Sequence, residues 1–483
     1  MAIYDVNGNL ISASADAVYI AAIKADHPSY TDDELLAAAI TAAKSIGPTA
    51  TIIWDGTDIH FSGTVTHVCK QFGGIDFNGS TVYMPNYDGG TVISIEPDSA
   101  EDIAVAASAI LWTYTTSDGL KGKVFQLNNN TEGNAGMCLG YRMPKSDFDN
   151  QVMYYSPIVK STPDGYYTTG ELFLTPSSGN VTCYNVHDFP SVTFEIGNAN
   201  VVSYASNNMS LFIFCKRSNT HIHDISCSGK STVNTFHYGV LRVDSCSDVE
   251  IDHIYGVNPL QKSLTSGYVF SLNRVSFAYV HDISVGDSTG WSAIGCGNLT
   301  NTVFERCYSD RWDCHYDQCG YNIIRDCTFN HIQYGVGNGS LVFENCTILL
   351  NSNVSWFAEL RGDVVGVFDG DIIFRNCDFL PGAQTVSNLG ILKDSASYAK
   401  QSNSSVSGAP KKRRYICKCR VPDGLKYVFQ TGSATTADQP MFANLVYGIE
   451  DTIIGSGTTE LHPLGSQTAA SVSVSDSYWG IGS

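Results

Sequence analysis

Between His221 and Leu380 the chain repeats one short pattern of apolar and polar positions: an apolar residue, a charged one, a turn residue, then Ile or Cys. It reads Ile222-His-Asp-Ile225, Ile251-Asp-His-Ile254, Val280-His-Asp-Ile283, Phe304-Glu-Arg-Cys307, Ile324-Arg-Asp-Cys327, Phe343-Glu-Asn-Cys346 and Phe374-Arg-Asn-Cys377. The phrase is constant while the distance between its copies varies. That predicts stacked coils joined by loops of unequal length, a β-solenoid. An earlier strand precedes each phrase at a nearly constant offset: Leu241-Arg-Val-Asp244, Phe270-Ser-Leu-Asn273, Ile294-Gly-Cys-Gly297, Cys314-His-Tyr-Asp317 and Tyr334-Gly-Val-Gly337. Alternation turns Leu241, Val243, Leu272, Ile294, Cys296 and Cys314 inward. It leaves two outward columns, one of Arg242, Ser271, Gly295, His315 and Gly335, the other of Asp244, Asn273, Gly297, Asp317 and Gly337.

The first 50 residues differ. Thr31 and Glu34 form a capping box, Leu35, Leu36, Ala39, Ile40 and Ala43 share one face, and Gly47-Pro48 ends the helix. A shorter helix is predicted near Asp16 to Lys24. Strands are expected at Thr51–Trp54, Ile59–Phe61, Val65–Val68 and Ile75–Met84. A helix is expected over Ala100–Leu111. Residues 1–50 thus read as an N-terminal helical cap or attachment segment, 51–100 as the start of the β-helix, and 101–205 as irregular coils or an inserted lateral domain. Residues 206–385 read as the main parallel solenoid, and 386–483 as a C-terminal cap or trimerisation region of short strands.

Composition agrees with a β-rich chain: of 483 residues only 16% are charged, and Gly is abundant. A net charge of −19 argues against nucleic acid or an anionic membrane surface as partner. No apolar run reaches the ~20 residues a spanning helix needs. The opening MAIYDVNGNLI lacks the pattern of a secretory signal, so the 15 cysteines predict folding in a reducing compartment. Cys307, Cys327, Cys346 and Cys377 fall at one inward position and read as small buried hydrophobes. The Cys417-x-Cys419 pair has no second ligand pair nearby, and no metal or cofactor is expected.

Charge and aromatic character concentrate in the coil from Cys307 to Cys319. The expected register puts Asp313, His315 and Asp317 on one outward strand with glycines on both neighbouring coils. Glycosidase carboxylates sit ~5–9.5 Å apart. Asp313 and Asp317, about 13 Å apart on a straight strand, are too distant to pair. Asp317 with Glu305 or Asp310 is the leading acid/base combination, with Asp313 a further candidate. Arg311 and His315 are candidates to orient sugar hydroxyls or acidic groups, and Trp312 and Trp356 to stack on sugar rings. Asp244 and Asn273 in the outward columns, and Glu359 beside Trp356, complete the candidate surface. The phrase's own outward column, His223, Asp252, His281, Glu305, Arg325, Glu344 and Arg375, alternates in sign from Glu305 onward and reads as a surface salt-bridge ladder. No GxSxG, HExxH, Walker A or GxGxxG motif is present.

The run DELLAAAITAAKSIGPTATIIWDGTDIHFSGTV, followed by GIDFNGSTVYMP, resembles the opening of phage tailspikes and their pectate-lyase-like relatives. The resemblance implies an all-β chain, a right-handed parallel β-helix behind a capping helix, assembled as a homotrimer. It implies a virion protein, made in the host cytoplasm, attached to other tail proteins through its N-terminus. Its ligand would be bacterial surface polysaccharide, capsule or O-antigen, which such spikes often cleave. Hydrolysis by two carboxylates is the favoured expectation. A lyase using Arg311, His315 or a lysine, with or without Ca²⁺, and a receptor-binding fibre without chemistry are the alternatives.

Overall fold

The computed structural model describes residues 16–84, 90–98, 190–203, 211–229, 238–256, 267–286, 292–314, 318–335, 337–350, 354–361, 368–396, 412–433, 445–455 and 457–463, with the backbone of short strands elsewhere. Two helices open the described chain, α1 (Ile20–Asp26) and α2 (Asp32–Ile46). The Thr31 hydroxyl accepts from the Glu34 N–H, and the Glu34 carboxylate accepts from the Thr31 N–H at 2.8 Å. Leu35, Leu36, Ala39 and Ala43 are buried in the same core as Ile52 and Trp54. Asp33 ties the helix to the first coils, accepting from the Ser62 N–H and facing His67 Nε2 at 2.8 Å. α2 therefore covers apolar surface that the first coil would expose. α1 starts later than expected because Ala17–Tyr19 pairs with Thr51–Ile53 and becomes a first rung.

From there the chain winds through three parallel ladders. The first carries the phrase itself and runs through Ile222, Ile251, Val280, Phe304, Ile324, Phe343, Phe374 and Ile416. The second takes the strands just after the phrase, such as Tyr308–Ser309, Thr328–Phe329 and Thr347–Leu349. The third returns through Leu241, Phe270, Ile294, Trp312, Ile332, Ala358 and Leu392. Between the first two ladders the turn is a single residue in the left-handed region. Asn198, Asp224, His253, Asp282, Arg306, Asp326, Asn345, Asn376, Lys418 and Asp451 all have φ between 45° and 60°. Asn and Asp tolerate that conformation best, which explains their frequency at the phrase's third position. Three successive turns of the seam are bonded to one another: Asn376 donates to Asn345 at 2.8 Å and Asn345 to Asp326 at 3.0 Å.

The apolar and Cys positions of the phrase form the core, where each large side chain contributes roughly 1.5–3 kcal/mol. Cys307, Cys327, Cys346, Cys377 and Cys419 stand in one buried column with free thiols, and Cys346 and Cys377 donate to carbonyls of the preceding coil. Cys419 shows that the coils do not stop at residue 385. Ile416-Cys-Lys-Cys419 and Ile449-Glu-Asp-Thr452 are further copies of the phrase, with Lys418 and Asp451 as their left-handed residues. Parallel pairing continues to Ser473–Ser475.

Between Thr91–Ile95 and Phe194–Ser203 the chain leaves the coil to form an eight-stranded antiparallel sheet, from Ala100–Glu101 to Val181–Asp188. Its strand Met153–Thr162 runs against Tyr238–Gly256, Gly267–His281 and Ser292–Thr300. The helix expected over Ala100–Leu111 is a correction: strands at Ala100–Glu101, Ala104–Val105 and Ile110–Thr115 stand there, because pairing with Val181–Asp188 and Lys121–Phe125 overrides the helical preference of alanine.

Candidate functional site

The outer face of the third ladder gathers charged and aromatic side chains in a register that differs from expectation by two residues. Gly295 lies opposite Asp313, not His315, because Ile294 pairs with Trp312 and Cys296 with Cys314. Asp313 in turn pairs with Gln333, Gln333 with Glu359, and Glu359 with Lys393. The outward column is therefore Arg242, Ser271, Gly295, Asp313, Gln333, Glu359, Lys393 and Gln430. His315 and Asp317 lie outside the described residues.

Gly295 is glycine for a specific reason. A Cβ there would meet the ring of Tyr268 at 2.7 Å, and that ring lies across the glycine to bring its hydroxyl within 3.1 Å of Asp313 Oδ2. Arg361 donates to Asp313 Oδ1 and, at 3.2 Å, to Gln333 Oε1, while Arg311 Nε stands 3.5 Å from Asp313 Oδ2. The group is closed to water: the Asp313 side chain is 0% exposed and Arg361 8%. Burial lowers the Arg311 pKa and, with Asp313, raises that of the Tyr268 phenol.

One coil further the face opens. Glu359 accepts from Gln333 Nε2 at 3.0 Å and from Lys393 Nζ at 3.4 Å, and it retains 18% side-chain exposure. Burial alone would raise its pKa, but His331 foremost, whose charge counts only when it is protonated, then the Gln333 hydrogen bond and Lys393 hold it below the ordinary range. Burial pushes His331 itself down to about 4, so at neutral pH the standing partners of Glu359 are Gln333 and Lys393. At the start of the same strands, Trp356, Gly390 and Tyr427 occupy one column. The two rings are nearly parallel, 8° apart with centroids at 6.1 Å. Gly390 again makes room, since a Cβ would meet the Trp356 ring at 2.1 Å. Lys426 Nζ lies 5.2 Å from the centroid of the Tyr427 ring.

Several expectations need correction. Trp312 is not a stacking platform: its ring is fully buried, edge-on between Phe304 and Phe343. Asp310 is 1% exposed, accepts from Asn330 and packs against Gly286, so it cannot reach a polymer. Asp313 and Arg311 are closed off by each other, Arg361 and Tyr268, which fits a structural ion pair rather than an acid catalyst. Asp244, although in an outward column, is 1% exposed and held by Arg242 at 2.6 Å, Arg274 at 2.5 Å and Asn273 at 3.1 Å. Asn273 thereby serves Asp244. Among the described candidates on this face, Trp356 and Glu359 remain half-open, as does Asn273 beside Asp244.

Glu305 sits on a different face, the outside of the first ladder. It bonds Arg325 at 2.5 Å and Tyr279 at 2.9 Å and also pairs with Arg306, and Arg325 foremost holds its pKa down. Of the expected ladder beyond it, Arg375 and Glu344 pair at 3.1 Å. Tyr268, Gln333, Lys393 and Tyr427 belong to the third-ladder site with little sequence warning, whereas Arg361 stands in the polar cluster that follows Trp356 in the sequence. The matching Cys296 and Cys314 were the signal that would have set the register.

No family model matches this sequence, and no curated protein matches it. Among solved structures the chain is similar to the Gp54 tailspike of Acinetobacter baumannii bacteriophage AP22, determined in complex with A. baumannii capsular saccharide. The TM-score is 0.56 at 12% identity, covering 98% of this chain and 81% of that one. It is also similar to the tailspike protein gp49 from Pseudomonas phage LKA1, with a TM-score of 0.51 at 12% identity, covering 94% and 80%. The chain has the right-handed parallel β-helix fold of these tailspikes.

Proposed function

We propose that this protein is a phage tailspike that binds bacterial surface polysaccharide along the outer face of its third ladder and depolymerises it by glycosidic hydrolysis. The observation that carries the reading is the half-open run Gln333, Glu359 and Lys393 beside the parallel rings of Trp356 and Tyr427. Flat aromatic rings next to fixed hydrogen-bonding groups suit a sugar, whose ring faces are apolar and whose edges are hydroxyls. A fold shared along nearly the whole chain with a tailspike solved with capsular saccharide supports the choice of ligand.

For the chemistry, Glu359 is the available base. It is ionised at neutral pH, oriented by Gln333 and Lys393, and able to take a proton from an attacking water. Asp317, four residues beyond Asp313 in the chain, is proposed as the acid that protonates the leaving oxygen. The homotrimer and attachment through the N-terminus are part of the same proposal, carried from the tailspike resemblance.

The test is incubation with a panel of capsular and O-antigen polysaccharides. Hydrolysis releases reducing ends without unsaturated-sugar absorbance, and Glu359→Gln and Asp317→Asn each abolish release while binding persists. Unsaturated products would replace hydrolysis with a lyase. Binding to cells with no product from any glycan would leave a receptor-binding fibre.

A further inference from the structure

On the outside of the first ladder, three consecutive coils bring two histidines and two carboxylates to one point. His221 pairs with Glu250 and Glu250 with Tyr279 in one column, and His223, Asp252 and His281 follow one another in the next. The middle coil thus presents Glu250 and Asp252, flanked by His221 from the coil before and His281 from the coil after. His221 Nε2 lies 2.6 Å from Asp252 Oδ2, and His281 Nε2 lies 3.1 Å from Glu250 Oε1 and 3.7 Å from Asp252 Oδ2. Ligand atoms of His221, Glu250 and Asp252 all fall within 4.8 Å of one another.

We propose that His221, Glu250, Asp252 and His281 form a binding site for a four-coordinate divalent transition metal, Zn²⁺ being the best match. Ligand bonds of about 2.0–2.2 Å in tetrahedral geometry put neighbouring donor atoms roughly 3.3 Å apart. The contacts of 2.6, 3.1 and 3.7 Å bracket that spacing; His221, Glu250 and Asp252 already meet within 4.8 Å, and His281 has to close on that group as the metal binds. Two imidazoles in the set select against Ca²⁺ and Mg²⁺, which take oxygen ligands.

A second, independent feature points the same way. The other nitrogen of His281, Nδ1, is committed to Asp282 Oδ2 at 2.7 Å. That carboxylate–histidine contact leaves Nε2 as the metal-facing nitrogen, the arrangement that orients histidine ligands in metal sites. With Nδ1 facing Asp282, Nε2 faces both Glu250 and Asp252. Asp252 is likewise fixed from behind, its Oδ1 bonded to His253 Nδ1 at 2.5 Å. The Glu250 side chain is 47% exposed and His221 26%, so the site is open for metal entry from solvent. A bound ion would add a further link across three coils.

The test uses the full-length, tag-free chain, stripped with chelator and titrated calorimetrically with Zn²⁺, with Co²⁺ as a spectroscopic probe. The expected result is one Zn²⁺ per chain, a raised melting midpoint, and visible Co²⁺ absorption of four-coordinate intensity. His221→Gln and Glu250→Gln, both at partly exposed positions, should each weaken binding by about tenfold or more while melting at the metal-free midpoint of the parent. The proposal is overturned by absence of a stoichiometric site, by affinity unchanged in both variants, or by equal competition from Ca²⁺.

Discussion

The outer faces of the first and third ladders are built by the same coils with the same ~4.8 Å rise, yet they treat charge in opposite ways. On the first ladder Glu305 and Arg325 pair with side-chain exposures of 13% and 44%, in reach of water and salt. On the third, Asp313 and Arg361 pair at 0% and 8%, roofed by Tyr268, whose ring can lie flat only because residue 295 has no side chain. An outward position in a solenoid is therefore not the same as a surface position. What a column does depends on whether a neighbouring glycine lets an aromatic ring fold over it.

The sharpest way to break this contrast is to remove one cation from each face. Arg361→Ala leaves Asp313 buried with its charge poorly compensated and should cost about 3–5 kcal/mol. Arg325→Ala removes an exposed pair and should cost no more than ~1 kcal/mol. Denaturant unfolding of both variants beside the parent decides the matter. Equal losses would mean that the third-ladder pair is as well solvated as the first.

The faces should also differ in acid. Burial pushes His331 of the third ladder down to about 4, below the ~6.5 of an unfolded chain. The unfolded state then takes up a proton first as pH falls. Stability is complete above about pH 6.5 and is lost as pH drops toward 4, by on the order of 3 kcal/mol at most. His331→Gln should flatten that segment of the stability curve. The lowered carboxylates Asp252 and Glu305 of the first ladder act in a different window, since their contribution is present above the ordinary carboxylate pKa and lost only below it. An unchanged slope between pH 6.5 and 4 in the variant would show that His331 is protonated as readily in the folded chain as in the unfolded one.

Much of this architecture was legible in the repeat. The phrase identified the coils, the inward column and the position of the turn, because each depends on residues close in sequence. The capping box at Thr31 and Glu34 is local in the same way. The Cys417-x-Cys419 pair was misread as a stray motif because Lys418 stands where Asn or Asp usually marks the turn, which hid the next coil. The third-ladder register was missed for another reason. Trp312, with its polar neighbours, looked like a surface residue, and taking it as inward would have aligned Asp313 with Gly295 at once. The site itself could not be assembled from the phrase, since Tyr268, Asp313, Arg361 and Lys393 sit in or beside strands joined by loops of unequal length and meet only after stacking.

Lys418 offers the finest test, at the seam where the first ladder hands over to the second. Its backbone has φ of 53°, a conformation that favours Asn, Asp or Gly, and the residue is exposed. The two preceding coils carry Asn345 and Asn376 there, bonded to each other at 2.8 Å. Lys418→Asn relieves the left-handed preference and places an amide next in line for Asn376, so it should stabilise the chain by roughly 0.5–1 kcal/mol. The reverse exchange, Asn345→Lys, should lose a similar amount and interrupt a seam that Asp326, Asn345 and Asn376 share. Thermal midpoints of the two variants moving in opposite directions would establish the turn column as an energetic element of the stack. If both stay at the parent value, the seam only follows the ladders and the faces are held by the core alone.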